Sequence, residues 1–250
     1  MAIIGTRGIR LGMAAIAGTI LASAASFASQ PPNPTISNGD FTTNTLGGVT
    51  GLATTGNLSS SWTVATTSTN PNACVVYGNA FSNCGYTTVS TAGLGVDPAP
   101  GGAPYFAAGS WTGTSAIISQ TISNLIASEK YIIRFYQAAV ADAVVNDAAR
   151  WTVAFGGAPT QNSTTMTITS GLAVAWASQT MIFTASATSA TLSFLAGGGS
   201  NSGPPLALLD GVTITRVPEP ASLALLGLGA AGIMALRRRR RRQVDATAAA

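Results

Sequence analysis

Apolar and polar positions alternate with a period of two over much of this chain, the signature of strands with one buried face. In Tyr131-Ile-Ile-Arg-Phe-Tyr-Gln137, the residues Tyr131, Ile133 and Phe135 share one face, and Ile132, Arg134 and Tyr136 share the other. Trp151 to Phe155 places large apolar residues at odd positions and small ones at even positions. Further strands are expected over 62–66, 87–90, 116–122, 164–169 and 176–184, the last with Met181 and Phe183 in phase. Leu192 and Phe194 share a face in the next, and 206–215 closes the series. Gly156-Gly157-Ala158-Pro159 and the Gly/Pro-rich stretches 97–104 and 197–205 punctuate them. About ten short strands with no convincing amphipathic helix argue an all-β, antiparallel two-sheet sandwich. The alanine-rich stretch 138–149 is open to a turn or two of helix.

The two ends break this pattern. Arg7 and Arg10 precede an apolar stretch from Leu11 to Leu21 and then the small residues 22–28. This is the charged, apolar and small-residue order of a secretory signal peptide over 1–28, cut after Ala28 or, alternatively, after Ala24. At the other end, Val217-Pro218-Glu219-Pro220 leads into an uncharged apolar run from Leu223 to Leu236 and six arginines, Arg237, Arg238, Arg239, Arg240, Arg241 and Arg242. The prolines end the preceding domain, and the arginines supply the positive flank that stays cytoplasmic. As a helix the run is about 21 Å long at 1.5 Å per residue, short for a bilayer unless arginine snorkelling and thinning close the gap. A tail over 217–242 made of the motif, a transmembrane helix and the arginine cluster, with 243–250 as a disordered end, is the expectation, ahead of a core helix or an arginine patch for nucleic acid.

This order of motif, apolar helix and basic cluster resembles the PEP-CTERM sorting tail. The resemblance implies export, transient retention in the inner membrane, processing by an exosortase near Pro218-Glu219-Pro220, and release to the cell surface or extracellular matrix. It bears on the tail alone and leaves the body, 29–216, to be read by itself.

Charge adds one exclusion. The whole chain has a formal charge of +4, but the body carries Lys130, Arg134, Arg150 and Arg216 against Asp40, Asp97, Glu129, Asp142, Asp147 and Asp210. The basic balance therefore belongs to the targeting ends and implies no nucleic-acid partner. Ser, Thr, Ala, Gly and Asn dominate the body, which suits an exported β-protein with a hydroxyl-rich polar face.

Cys74 and Cys84 are the two cysteines, ten apart in a loop-like stretch. In an exported chain such a pair is expected to form a disulfide. A metal pair is the weaker reading, because the chain has no histidine and no third cysteine.

A second resemblance spans the body. Asn38-Gly39-Asp40-Phe41, Gln120-Thr-Ile122, the strand from Tyr131, Trp176 before a Thr-rich strand, and the closing 207–214 with Asp210-Gly211 are similar to the galactose-binding-like, carbohydrate-binding-module type of jelly roll. That resemblance implies a jelly-roll sandwich flanked by the signal helix and the transmembrane helix, glycan binding in some members, and a structural calcium near the joined first and last strands. The ligands would come from Asp40, Asp210 and carbonyls. The acidic position that commonly follows Asn-Gly-x-Phe is Thr42 here. Asp210 shares parity with Leu206, Leu208, Val212 and Ile214, so unbroken alternation points it into the apolar face. The alternative is a carboxylate accepting backbone N–H bonds at a bulge beside Gly211.

Aromatic faces stack on sugar rings. Trp62, Trp151, Phe155, Phe183 and Phe194 alternate as core residues, whereas Tyr77, Tyr86, Tyr105, Trp111 and Tyr136 have polar or glycine-rich surroundings. Tyr105, Trp111 and Tyr136 are the ligand candidates. The row Thr165, Thr167 and Thr169 reads as a solvated β-face, with no repeat to extend it into an ice-binding array. With no histidine, Ser-His and Cys-His catalysis is excluded. Asp142 and Asp147 are the remaining carboxylate pair for glycoside hydrolysis, without a motif around them. The expectation is a non-catalytic, polysaccharide-associated surface protein, against a ligand-free structural or adhesive protein and a carboxylate-only glycosidase.

Overall fold

A computed structural model describes residues 32–43, 51–52, 56–57, 61–66, 73–76, 81, 89, 104–110, 116–141, 146–169, 173–200 and 205–218, and helical positions 227, 229–234 and 237. The signal segment 1–28 lies outside them. Two antiparallel sheets form the body. One runs β1 (Gly51–Leu52), β4 (Ala73–Val76), β5 (Tyr105–Gly109), β13 (Pro205–Arg216), β7 (Lys130–Ala141) and β11 (Val174–Thr184). The other runs β10 (Met166–Ile168), β8 (Asp147–Phe155), β12 (Ala190–Gly197), β6 (Ala116–Ile122), β3 (Thr63–Thr66) and β2 (Gly56–Asn57), with β9 (Gln161–Asn162) beside β8. This is an all-β, jelly-roll type of sandwich.

The alternation read from sequence decides what lies between the sheets. Tyr131, Ile133 and Phe135 on β7 and Trp151, Val153 and Phe155 on β8 are buried in one cluster with Trp62, Phe183 and Phe194. Phe135 and Trp151 each meet Phe194 edge-on, with ring centroids 5.1 and 6.2 Å away. Such pairs add about 0.5–1.5 kcal/mol each beyond the area they bury.

The outer face of the six-stranded sheet is divided. Its upper half, with Val76, Tyr105, Ala107, Ala138, Val140, Leu206 and Leu208, forms a second buried cluster with Phe81, and Val89 and Trp176 pack on it. The lower half, around Lys130, Arg134 and Ile182, is open. Double coverage explains the alanine-rich stretch. Ala138 to Ala141 continue β7, and Asp147 to Ala149 begin β8, in place of helix. Ala139 and Ala141 face the first cluster while Ala138 and Val140 face the second. A strand buried on both faces selects small apolar side chains and overrides alanine's helical preference.

The opening turn is clamped from two sides. Gln120 donates Nε2–H to the carbonyls of Ser37 (2.8 Å) and Ser61 (3.0 Å), and its Oε1 accepts from Ser37 N–H (2.9 Å). Gly39 accepts from Val212 N–H at 3.0 Å, and a Cβ on Gly39 would collide with the Val212 carbonyl. Only glycine allows that approach. All residues of both clusters and their packed neighbours lie between Ile36 and Ile214. Among the described residues, neither cluster draws on the tail.

Candidate functional site

Strand pairing in the seven-stranded sheet sets hydroxyls side by side on its outer face. Ser119 on β6 lies opposite Thr63 on β3 and Ser193 on β12, and Thr121 lies opposite Thr191. On β6, Ile118 and Ile122 point into the core and leave Ser119 and Thr121 outward. The clamped segment with Thr35 and Ser37 runs beside them, and Ser123 and Asn124 close the far end. The result is an open groove of about 490 Å³ whose lining side chains are all hydroxyls or amides. Neutral donors and acceptors at this density suit an uncharged, hydroxyl-rich ligand, with specificity carried by hydrogen bonds. The signal for it lay in the outward Ser and Thr positions of the strands, whereas aromatic residues drew attention elsewhere.

Each expected site residue now has a place. Tyr105 is a correction. It is only 1% exposed, with Trp176 edge-on at 5.3 Å and Phe81 at 6.1 Å. Burial pushes its phenol well above the usual tyrosine range. Its polar sequence neighbours gave no hint that Phe81 and Trp176 pack over it. Tyr136 is half-buried on β7, opposite Asp210 on β13 and Ser178 on β11. Trp111 lies outside the described residues. Trp62, Trp151, Phe155, Phe183 and Phe194 are core, as expected.

Asp210 is fully buried. The alternation around it is broken by a register shift between Asp210 and Thr213, where Gly211 adopts a φ of +59°. That is the geometry of a glycine β-bulge. The bulge exchanges the faces of β13, with Ala207 and Leu209 in the inter-sheet core before it and Val212 and Ile214 after it. The opening turn meets the strand at this point through Val212. Calcium ligation by Asp40, Asp210 and carbonyls stands as a prediction, checked by calcium titration of the folded domain. Asp40 Oδ1 accepts from the Thr42 hydroxyl at 3.1 Å, and no group of three or more His, Cys, Asp or Glu side chains gathers among the described residues.

Asp147 is likewise committed to structure. Its Oδ1 accepts the amides of Ala148 and Ser200, both at 2.8 Å, and its Oδ2 accepts the Ser200 hydroxyl at 3.2 Å. It ties the start of β8 to the loop after β12. Asp142 lies outside the described residues. Thr165, Thr167 and Thr169 are exposed while Met166 and Ile168 are buried, so the threonine row is the solvated side of the short strand β10.

Cys74 is fully buried on β4, and no free thiol occurs among the described residues. Cys84 lies outside them, so the pairing stands as a prediction. Intact mass with and without reduction should differ by two hydrogens. Closing so short a loop is expected to contribute about 3 kcal/mol in the chain-entropy model. Equal unfolding midpoints for the oxidised and reduced forms would count against a structural bridge.

At the end of β13 the Val217 N–H still donates to the Lys130 carbonyl at 2.9 Å, and Pro218 is exposed. Glu219, Pro220 and Arg238 to Arg242 lie outside the described residues. Gly227, residues 229–234 and Arg237 are helical and exposed. Among the described residues no helix is long and apolar enough to cross a membrane.

The fold and its ends define an antiparallel β-sandwich with a sorting signal joined directly to its last strand. Residues 216–241 match the PEP-CTERM protein-sorting motif. No curated protein matches the chain. Among solved structures, TmCBM61 in complex with β-1,4-galactotriose is similar at 14% identity and a TM-score of 0.42, over 72% of this chain and 96% of that one. The K2 cleaved adhesin domain of Lys-gingipain is similar at 15% and 0.38, over 73% and 100%. The N-terminal cellulose-binding domain from Cellulomonas fimi β-1,4-glucanase C is similar at 22% and 0.29, over 52% and 99%. The fold class rests on the strand order itself and takes no weight from these values.

Proposed function

We propose that this is an exported, non-catalytic protein, sorted by its tail to the cell surface or extracellular matrix, where the sandwich associates with polysaccharide. The observation that carries this reading is the junction at Arg216. The last paired residue of β13 is also the first residue of the sorting motif, so the sandwich is a folded cargo with its address attached. An exosortase acting near Pro218-Glu219-Pro220 would release it from the inner membrane, after the signal peptide over 1–28 had directed export. Ile233 and Met234, 57% and 60% exposed on the tail helix, support a membrane as the tail's surroundings, because they expose apolar surface that the sandwich does not cover.

The hydroxyl-and-amide groove beside Ser119 and Thr121 supports the polysaccharide part. Oxidised residues 29–216 should co-sediment saturably with the exopolysaccharide of the producing organism. S119A combined with T121V removes two hydroxyls that each contribute about 1 kcal/mol when hydrogen-bonded, so affinity should fall roughly thirtyfold. Variants at Trp111 and Tyr136 report whether aromatic stacking adds to the groove. No binding by the oxidised domain would favour the ligand-free structural or adhesive protein instead.

A further inference from the structure

We propose that the open lower half of the six-stranded sheet is a docking surface for an anionic lipid bilayer, used while the tail still anchors the chain. The proposal rests on the membrane reading of that tail. Two of the body's four cations, Lys130 and Arg134, lie on the outward face of β7, and Arg216, with the parity of Ile214, lies on the opposite face at the adjoining end of β13. One acid, Glu129, accompanies them. Lys130 and Arg134 are exposed, on the outward positions of β7. Between them sits Ile132, paired across the strands with Ile182 on β11 and Thr215 on β13. Ile182 is 51% exposed, the one large apolar side chain of the sandwich so placed among the described residues. Thr180 and Thr213 flank Arg134, and the half-buried Tyr136 follows it on the same face. An isoleucine pair between two cations suits the headgroup region of an anionic membrane, where apolar side chains insert and ammonium or guanidinium groups meet lipid phosphates.

The exit of the chain selects this occupant. Val217 is hydrogen-bonded to Lys130, so the tail leaves the fold at the patch itself. Residues 217–222 separate the last strand from the apolar run, and fully extended they reach only about 20 Å. With the run in a bilayer, this end of the sandwich is held next to the lipid surface. Tethering raises the effective concentration, so the weak binding of the free domain becomes persistent in the anchored one. The hydroxyl groove lies on the other sheet and would face away from the membrane. Removal of the tail would abolish the tethering and free the patch.

Residues 29–217 contain both buried clusters and serve as the test protein, floated with phosphatidylcholine vesicles with and without phosphatidylglycerol. Binding is expected to rise with the anionic lipid and to fall at high salt. K130Q and R134Q should each lower partitioning about fivefold, and I182S should lower it further. R150Q, on the opposite sheet, should leave it unchanged. The full-length chain, which carries the anchor, is floated in parallel. Equal partitioning to neutral and anionic vesicles, an equal loss in R150Q, or no binding by the fragment would overturn the patch. If the full-length chain still inserts, the tail reading stands alone; if it does not, that reading fails as well. Binding of an acidic polysaccharide through Lys130 and Arg134 without vesicle binding would also overturn the proposal.

Discussion

Replacing Trp151 by alanine is expected to destabilise the sandwich by about 3–5 kcal/mol and to lower its thermal midpoint by roughly 10–15 °C for a domain of this size. Trp151 belongs to β8 in the seven-stranded sheet, yet its indole N–H donates to the Leu208 carbonyl of β13 at 3.0 Å. Its ring lies edge-on to Phe194 at 6.2 Å and tilted to Phe106 at 6.3 Å. It therefore links the two sheets by packing and by a buried hydrogen bond. Alanine would leave a cavity that the rigid strands cannot collapse to fill, and would remove the donor from a buried carbonyl. Trp151→Phe, which keeps much of the volume and loses the N–H, should recover more than half of the loss. Denaturant unfolding of residues 29–216 measures both variants. A cost under about 1 kcal/mol for Trp151→Ala would show that the sheets are joined mainly elsewhere. Thr167→Ala, on the exposed side of β10, is the control and should fall within about 0.5 kcal/mol of the parent.

The second large effect is on sorting. Changing Pro218, Glu219 and Pro220 together to alanine should leave the precursor uncut in the inner membrane. The sandwich itself should stay folded, since among the described residues its clusters end at Ile214. Fractionation followed by the intact mass of the released protein reads both the location and the cut. Unchanged release of a processed protein would count against exosortase recognition of this motif. Because Val217 is still held by Lys130, the motif lies at the edge of the fold with no spacer before it.

Much of the architecture was legible because strand alternation is local. Ala116–Ile122 is bounded in the structure as its residues suggest, and the inward faces of β7, β8 and β12 carry the expected rings. The groove was legible only in its parts. Thr63, Ser119, Thr121 and Thr191 are ordinary outward positions in their own strands, and only antiparallel register places them side by side.

Chain order and residue chemistry alone determined the tail motif, the alternating strands and the lack of histidine that excludes imidazole catalysis. Tertiary structure decided three matters that no local pattern encodes. Tyr105 became core because segments distant in sequence, bearing Phe81 and Trp176, pack on the outer sheet face. The alanines of 138–141 became strand because both their faces are covered. Asp210 came to lie at a bulge because Gly211 takes a left-handed backbone conformation where the opening turn meets the last strand. Burial is a property of what packs against a residue, and those partners lie tens of residues away.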